Sequence, residues 1–80
     1  MKIIFEKEFS REGNDCMIYE SFSILEMFDG DVYLAQQITY YSGWFGTDYD
    51  KKSEFFDYRD QAMDKLNEWG LEYAEQHQGR

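Results

Sequence analysis

The 80-residue sequence contains no proline and one cysteine, Cys16. A single cysteine excludes an intrachain disulfide. The sequence also has no apolar run long enough for a signal peptide or a membrane-spanning helix. We therefore expect a protein of the reducing cytoplasm that folds without disulfide bonds and does not act at a membrane.

Basic residues are scarce, with eight Lys and Arg against 17 Asp and Glu, so the net charge is −9. A negative field of this size repels nucleic-acid phosphates and anionic lipid surfaces. The charge argues against direct binding of nucleic acid or membrane and favours a basic partner. High solubility is the simpler explanation of the same excess of acid.

Recognisable catalytic and metal-binding motifs are also lacking. Cys16 and His77, the only histidine, are far apart in the sequence. The two Asp-x-Asp pairs, at 29–31 and 48–50, do not continue into a calcium-binding loop. No glycine-rich phosphate loop or nucleophile elbow is present. We expect no enzymatic activity, no metal and no cofactor.

Hydrophobic residues make up 42% of the chain and aromatic residues 20%, which is enough for one modest core. We expect a single domain spanning residues 1–80. Alternating apolar and polar residues predict strands at 2–9, 16–27 and 32–41, with a short fourth strand at 52–56.

The alternation also predicts which strand residues share a face of the sheet. We expect three apolar residues of the first strand to lie together: Ile3, Phe5 and Phe9. We expect the face away from the helix to carry three tyrosines: Tyr19, Tyr33 and Tyr41.

One helix is predicted from about residue 58 to 76, capped by Asp57. Its apolar stripe has helical spacing and consists of Ala62, Leu66, Trp69, Tyr73 and His77. Gly70 lies inside the helix at a cost of about 1 kcal/mol relative to alanine, which suggests a close approach to the sheet. The predicted fold is α+β with two layers, a three- to four-stranded antiparallel β-meander with one C-terminal α-helix packed on one face.

The opposite side of this helix carries five acidic residues at spacings of 4, 4, 4 and 3: Asp60, Asp64, Glu68, Glu72 and Glu75. Like charges at this spacing repel by roughly 0.2–0.5 kcal/mol per pair. Neighbours in the stripe are about 6 Å apart along the axis, comparable with successive phosphates on one nucleic-acid strand. The stripe is either an ordinary solvated surface or a binding site for a row of Lys and Arg.

Residues 42–50, which include Gly43 and Gly46, are predicted to form a loop. Its aromatic residues, Trp44, Phe45 and Tyr49, stand beside two acids, Asp48 and Asp50. Exposed aromatics of this kind are typical of protein interfaces. The alternative is a loop that folds back to complete the core.

Small size, strong acidity, a strand meander and one acidic helix resemble small phage-encoded inhibitors. The group includes anti-CRISPR proteins and nucleic-acid mimics that block restriction enzymes. The resemblance implies an acidic inhibitor that blocks a basic nucleic-acid-binding surface of a nuclease or CRISPR-type defence complex in the bacterial host cytoplasm.

Two alternatives remain open. Acidic antitoxins and ribonuclease inhibitors, which neutralise a basic toxin, are similar in outline. A small structural domain that dimerises through its uncovered sheet face also fits the sequence. The expected partner is therefore a basic protein or ribonucleoprotein complex, and the chain itself is a monomer or homodimer.

Overall fold

Four strands and two short helices form the fold in a computed structural model that describes residues 1–44 and 46–77. The strands are β1 (Lys2–Gly13), β2 (Cys16–Met27), β3 (Val32–Gly43) and β4 (Gly46–Phe56). The helices are α1 (Arg59–Glu68) and α2 (Leu71–Gln76), and a 3-10 turn at Phe28–Gly30 joins β2 to β3. The sheet is an antiparallel meander in the order β1-β2-β3-β4. The predicted α+β fold is confirmed.

The core lies between the helices and one face of the sheet. Its buried members are Phe22, Ile24, Ala35, Ala62, Leu66 and Leu71. Directly paired residues of neighbouring strands place their side chains on the same face. The pair Ile24 and Ala35 therefore marks the face covered by the helices, which we call the helix side. The opposite face is called the open face, because no described element packs on it.

The predicted loop at 42–50 is wrong, because β3 continues to Gly43 and β4 begins at Gly46. Every residue of β4 except Phe56 is exposed. An edge strand exposed on both faces needs no alternation of apolar and polar residues, so it lacks the pattern from which strands are predicted.

A bulge in β1 corrects the predicted face of Ile3. Ile3 pairs with Leu25, whereas Phe5 pairs with Ile24, so the extra residue Ile4 reverses the alternation. Ile3 consequently lies on the open face, while Ile4 and Phe5 pack against the core.

The prediction of three tyrosines on the uncovered face is wrong for two of them. Tyr33 pairs with Glu26, and Tyr41 pairs with Ile18. Since Glu26 and Ile18 are on the helix side of β2, the two tyrosines are on the helix side as well. Tyr19 lies on the open face as predicted. The error arose in β3, whose core position is occupied by the small residue Ala35 rather than by the larger aliphatic residues on either side of it.

The predicted single helix is interrupted at Gly70, which has a φ of +113°. No atom lies within 4 Å of where a β-carbon would be, so close approach to the sheet does not explain this glycine. Its backbone conformation does, because side chains disfavour positive φ. The predicted cap at Asp57 is also wrong. Tyr58 occupies that position and makes no side-chain capping hydrogen bond.

Candidate binding surfaces on the two sides of the sheet

The predicted acidic stripe is divided between two helices. Its first three residues, Asp60, Asp64 and Glu68, belong to α1, and the other two, Glu72 and Glu75, belong to α2. Because the left-handed conformation of Gly70 separates the helices, the periodicity of α1 does not continue into α2. A single rigid row of five carboxylates is therefore not present.

Two of the five carboxylates form ion pairs within the protein. Lys65 Nζ lies 2.7 Å from Glu68 Oε2 and 3.5 Å from Glu54 Oε2. The hydrogen bond to Glu68 raises the pKa of Lys65 above its ordinary value; desolvation opposes this effect and the charge of Glu54 adds to it. Lys7 Nζ lies 3.1 Å from Glu75 Oε1. These pairs reduce the negative charge available at Glu68 and Glu75.

Asp60, Asp64 and Glu72 form no ion pair with any residue that the structure describes. All three are exposed. Asp48 and Asp50 lie on the helix side as well, because they pair with Tyr41 and Thr39 of β3. We call these five carboxylates, on the helix-covered side of the molecule, the acidic face: Asp48, Asp50, Asp60, Asp64 and Glu72.

The predicted aromatic and acidic cluster around residues 44–50 is split by the alternation of β4. Tyr49 lies on the open face, opposite Tyr40, whereas its neighbours Asp48 and Asp50 lie on the helix side. The backbone N–H of Tyr49 donates to Asp48 Oδ1 at 2.8 Å. Trp44, which directly follows β3, is 82% exposed. Phe45, the remaining member of the cluster, lies outside the described residues.

The open face presents two rows of apolar or aromatic side chains, of which the sequence prediction placed only Tyr19 there. One row crosses all four strands and consists of Ile3, Leu25, Leu34 and Phe55. A second row is aromatic and consists of Tyr19, Tyr40 and Tyr49. The ring centroids of Tyr19 and Tyr40 are 6.2 Å apart. These rows become visible only when β4 is extended to Gly46 and the bulge in β1 is included.

A polar network lies beneath the junction of the helices. The Glu20 carboxylate is paired with Arg11 and has a side chain only 14% exposed. Gln37 Nε2 lies 3.5 Å from Glu20 Oε2 and donates to Thr39 Oγ1 at 2.6 Å. The mostly enclosed charge is therefore paired and hydrogen-bonded, which is the usual requirement for a structural carboxylate.

A hollow of about 550 Å³ lies above this network, lined by Arg11, Glu20, Trp69, Gly70, Tyr73 and His77. The His77 ring stacks on Tyr73 with centroids 4.1 Å apart. His77 Nδ1 lies 2.8 Å from the Tyr73 carbonyl oxygen, so this nitrogen is the donor. The histidine thus satisfies a backbone acceptor at the end of α2 and is exposed, rather than belonging to a buried stripe.

Among residues 1–44 and 46–77, no three metal-binding side chains cluster, and no helix is long and apolar enough to cross a membrane. A scan against protein-family models found no match, and searches of curated proteins and solved structures also found none.

Proposed function

We propose that the protein is an acidic inhibitor that covers a basic nucleic-acid-binding surface of a nuclease or CRISPR-type defence complex in the bacterial cytoplasm. One observation carries the proposal. Asp60 and Asp64 are exposed on one side of α1 and make no ion pair with a described residue, whereas Lys65 of the same helix pairs with Glu54 and Glu68.

The spacing of these carboxylates supports phosphate mimicry over short distances. Asp60 and Asp64 are about 6 Å apart along the axis of α1. Asp48 and Asp50 are about 7 Å apart along β4, since they are two residues apart in an extended strand. Each pair presents two negative charges at a separation close to that of successive phosphates on one strand. The acidic face therefore offers two short pairs rather than one long row.

The same surface suits binding of protein and disfavours direct binding of nucleic acid. Only four of the 17 acidic residues, Glu20, Glu54, Glu68 and Glu75, form ion pairs in the described part of the chain. Most of the negative charge thus remains available to attract a cationic cleft and to repel phosphates. A basic toxin, neutralised as by an antitoxin or ribonuclease inhibitor, would use the same acidic face.

Affinity capture from a bacterial lysate tests the proposal. The immobilised protein is expected to retain a basic protein or ribonucleoprotein at low salt and to release it at high salt, because screening weakens charge pairs between exposed groups. The captured complex is then assayed for nucleic-acid binding with and without the free protein. Loss of nucleic-acid binding is the expected result, whereas simultaneous binding of both ligands would contradict blocking of that surface.

A further inference from the structure

We infer that the open face is a self-association surface, on which a second copy of this chain packs sheet against sheet. The two-fold axis lies between the sheets and runs parallel to the strands. The dimer is a two-sheet sandwich with its helices on the outside. This inference uses the face opposite the acidic face and does not depend on the proposed function.

Apolar exposure is the first reason. Ile3 and Phe55, at the two ends of the apolar row, are 56% and 59% exposed, and Leu25 and Leu34 between them are partly exposed. A contiguous apolar strip across a whole sheet is unusual on a monomer and marks an interaction surface. A second sheet at the usual spacing of about 10 Å would remove these side chains from water.

The area of the face fits a stable dimer. Four strands of 11 or 12 residues span about 20 Å by 40 Å at standard strand spacing and rise. The open face therefore offers roughly 800 Å² per copy, which is the size of a standard protein interface.

The register selects the orientation of the second copy. An axis parallel to the strands places β1 of one copy over β4 of the other and keeps each row over its own equivalent. Glu8, Ser21, Ile38 and Lys51 form one such row. Glu8 then faces Lys51 of the second copy, and Lys51 faces Glu8. An axis across the strands would instead place β1 over β1 and oppose the glutamates.

The same axis places a protruding side chain of one copy over a cavity in the other. A cavity of about 360 Å³ on the open face is lined in part by Ser10, Tyr19 and Ser21. Ser10 is in the row of Tyr49, so this axis brings Tyr49 of the second copy over the cavity. Tyr49 is exposed and large enough to enter it. Ile3 meets Phe55 of the second copy in the same manner.

Neighbouring lysines on opposite faces of β4 provide a matched test. Lys51→Glu places like charges opposite each other twice in the dimer and should raise its dissociation constant on the order of tenfold relative to Lys52→Glu. Lys52 lies on the helix side, opposite Gln37, and its substitution changes the net charge equally. The double substitution Glu8→Lys with Lys51→Glu should restore wild-type affinity. Sedimentation equilibrium measures the dimer dissociation constant of the wild type, the two single variants and the double variant, and circular dichroism confirms that each is folded.

Phe55→Ser tests the apolar row without relying on charge, and it should weaken the dimer by on the order of tenfold or more. A chain that stays monomeric at about 1 mM would overturn the inference. Equal effects of Lys51→Glu and Lys52→Glu would also overturn it, as would a double variant that fails to regain affinity. A dimer insensitive to Phe55→Ser would locate self-association at another surface and exclude this one.

Discussion

Gly70 determines where the C-terminal helical segment divides. Its φ of +113° is accessible to glycine at little cost but strains any residue with a β-carbon. The space around the position is empty, so the strain is in the backbone rather than in packing. If the helix were continuous through residue 70, glycine would instead destabilise it, because alanine is the better helix-forming residue.

Gly70→Ala is therefore expected to lower the free energy of unfolding by about 1–2 kcal/mol. Asn67→Ala, three residues earlier on the exposed side of α1, is the control and should be neutral or slightly stabilising. Urea unfolding measures both variants. A gain in stability of about 1 kcal/mol for Gly70→Ala would indicate a continuous helix and would restore the five-residue acidic stripe.

At the scale of single elements, the sequence predicted three strands well because one side of each packs against the core. In β2, for example, Phe22 and Ile24 alternate with serines and define the core face. The sequence underestimated β4, since a strand exposed on both faces carries no such contrast. It also missed the bulge in β1, which one extra residue, Ile4, introduces without a distinctive local pattern.

The interruption at Gly70 has a measurable effect on the packing of α2. A continuous helix predicts that Tyr73 belongs to the buried stripe, but Tyr73 is 67% exposed and Leu71 is buried. Leu71→Ala is expected to lower the free energy of unfolding by about 2–4 kcal/mol, because it leaves a cavity in the core. Tyr73→Ala should cost less than about 1 kcal/mol. Thermal or urea unfolding of the two variants compares them directly, and the reverse order would contradict the two-helix arrangement.

Lys65 connects α1 to β4 through Glu54 and should make stability depend on pH in the alkaline range. Its pKa is raised in the folded state above the ordinary value of 10.5, so the folded state holds this proton more tightly. The resulting stabilisation is complete below pH 10.5 and is lost as the pH rises through the higher folded-state pKa. The stability difference between wild type and Lys65→Met should accordingly shrink at alkaline pH. A difference that stays constant or grows there would contradict the role of the ion pairs.

At the scale of the whole molecule, the two faces of the sheet present different chemistry. The acidic face lies on the helix side, whereas the apolar row and the row of Tyr19, Tyr40 and Tyr49 lie on the open face. In the inferred dimer the acidic faces point outward, so both remain accessible to partners. The fold class was predictable from strand alternation. The exposure of Asp60 and Asp64 on the same side of α1 was predictable from helical spacing. The division of residues 44–50 between two faces was not predictable, because it depends on where β4 begins.

Salt should affect the two surfaces in opposite directions. Binding of a basic partner to the acidic face weakens as salt screens the attraction. Self-association of two chains, each with a net charge of −9, is opposed by long-range repulsion that salt also screens. The dimer should therefore persist or tighten at high salt.

Charge reversal on the two faces tests the central claim most directly. Asp60→Lys with Asp64→Lys alters the acidic face, and Glu6→Lys with Glu12→Lys makes the same change in net charge on the open face without altering Glu8. Affinity capture from the same lysate, quantified for wild type and both double variants, compares them. We predict that the aspartate variant loses the basic partner and that the glutamate variant retains it. Equal capture by both variants would contradict the assignment of the binding surface to Asp60 and Asp64.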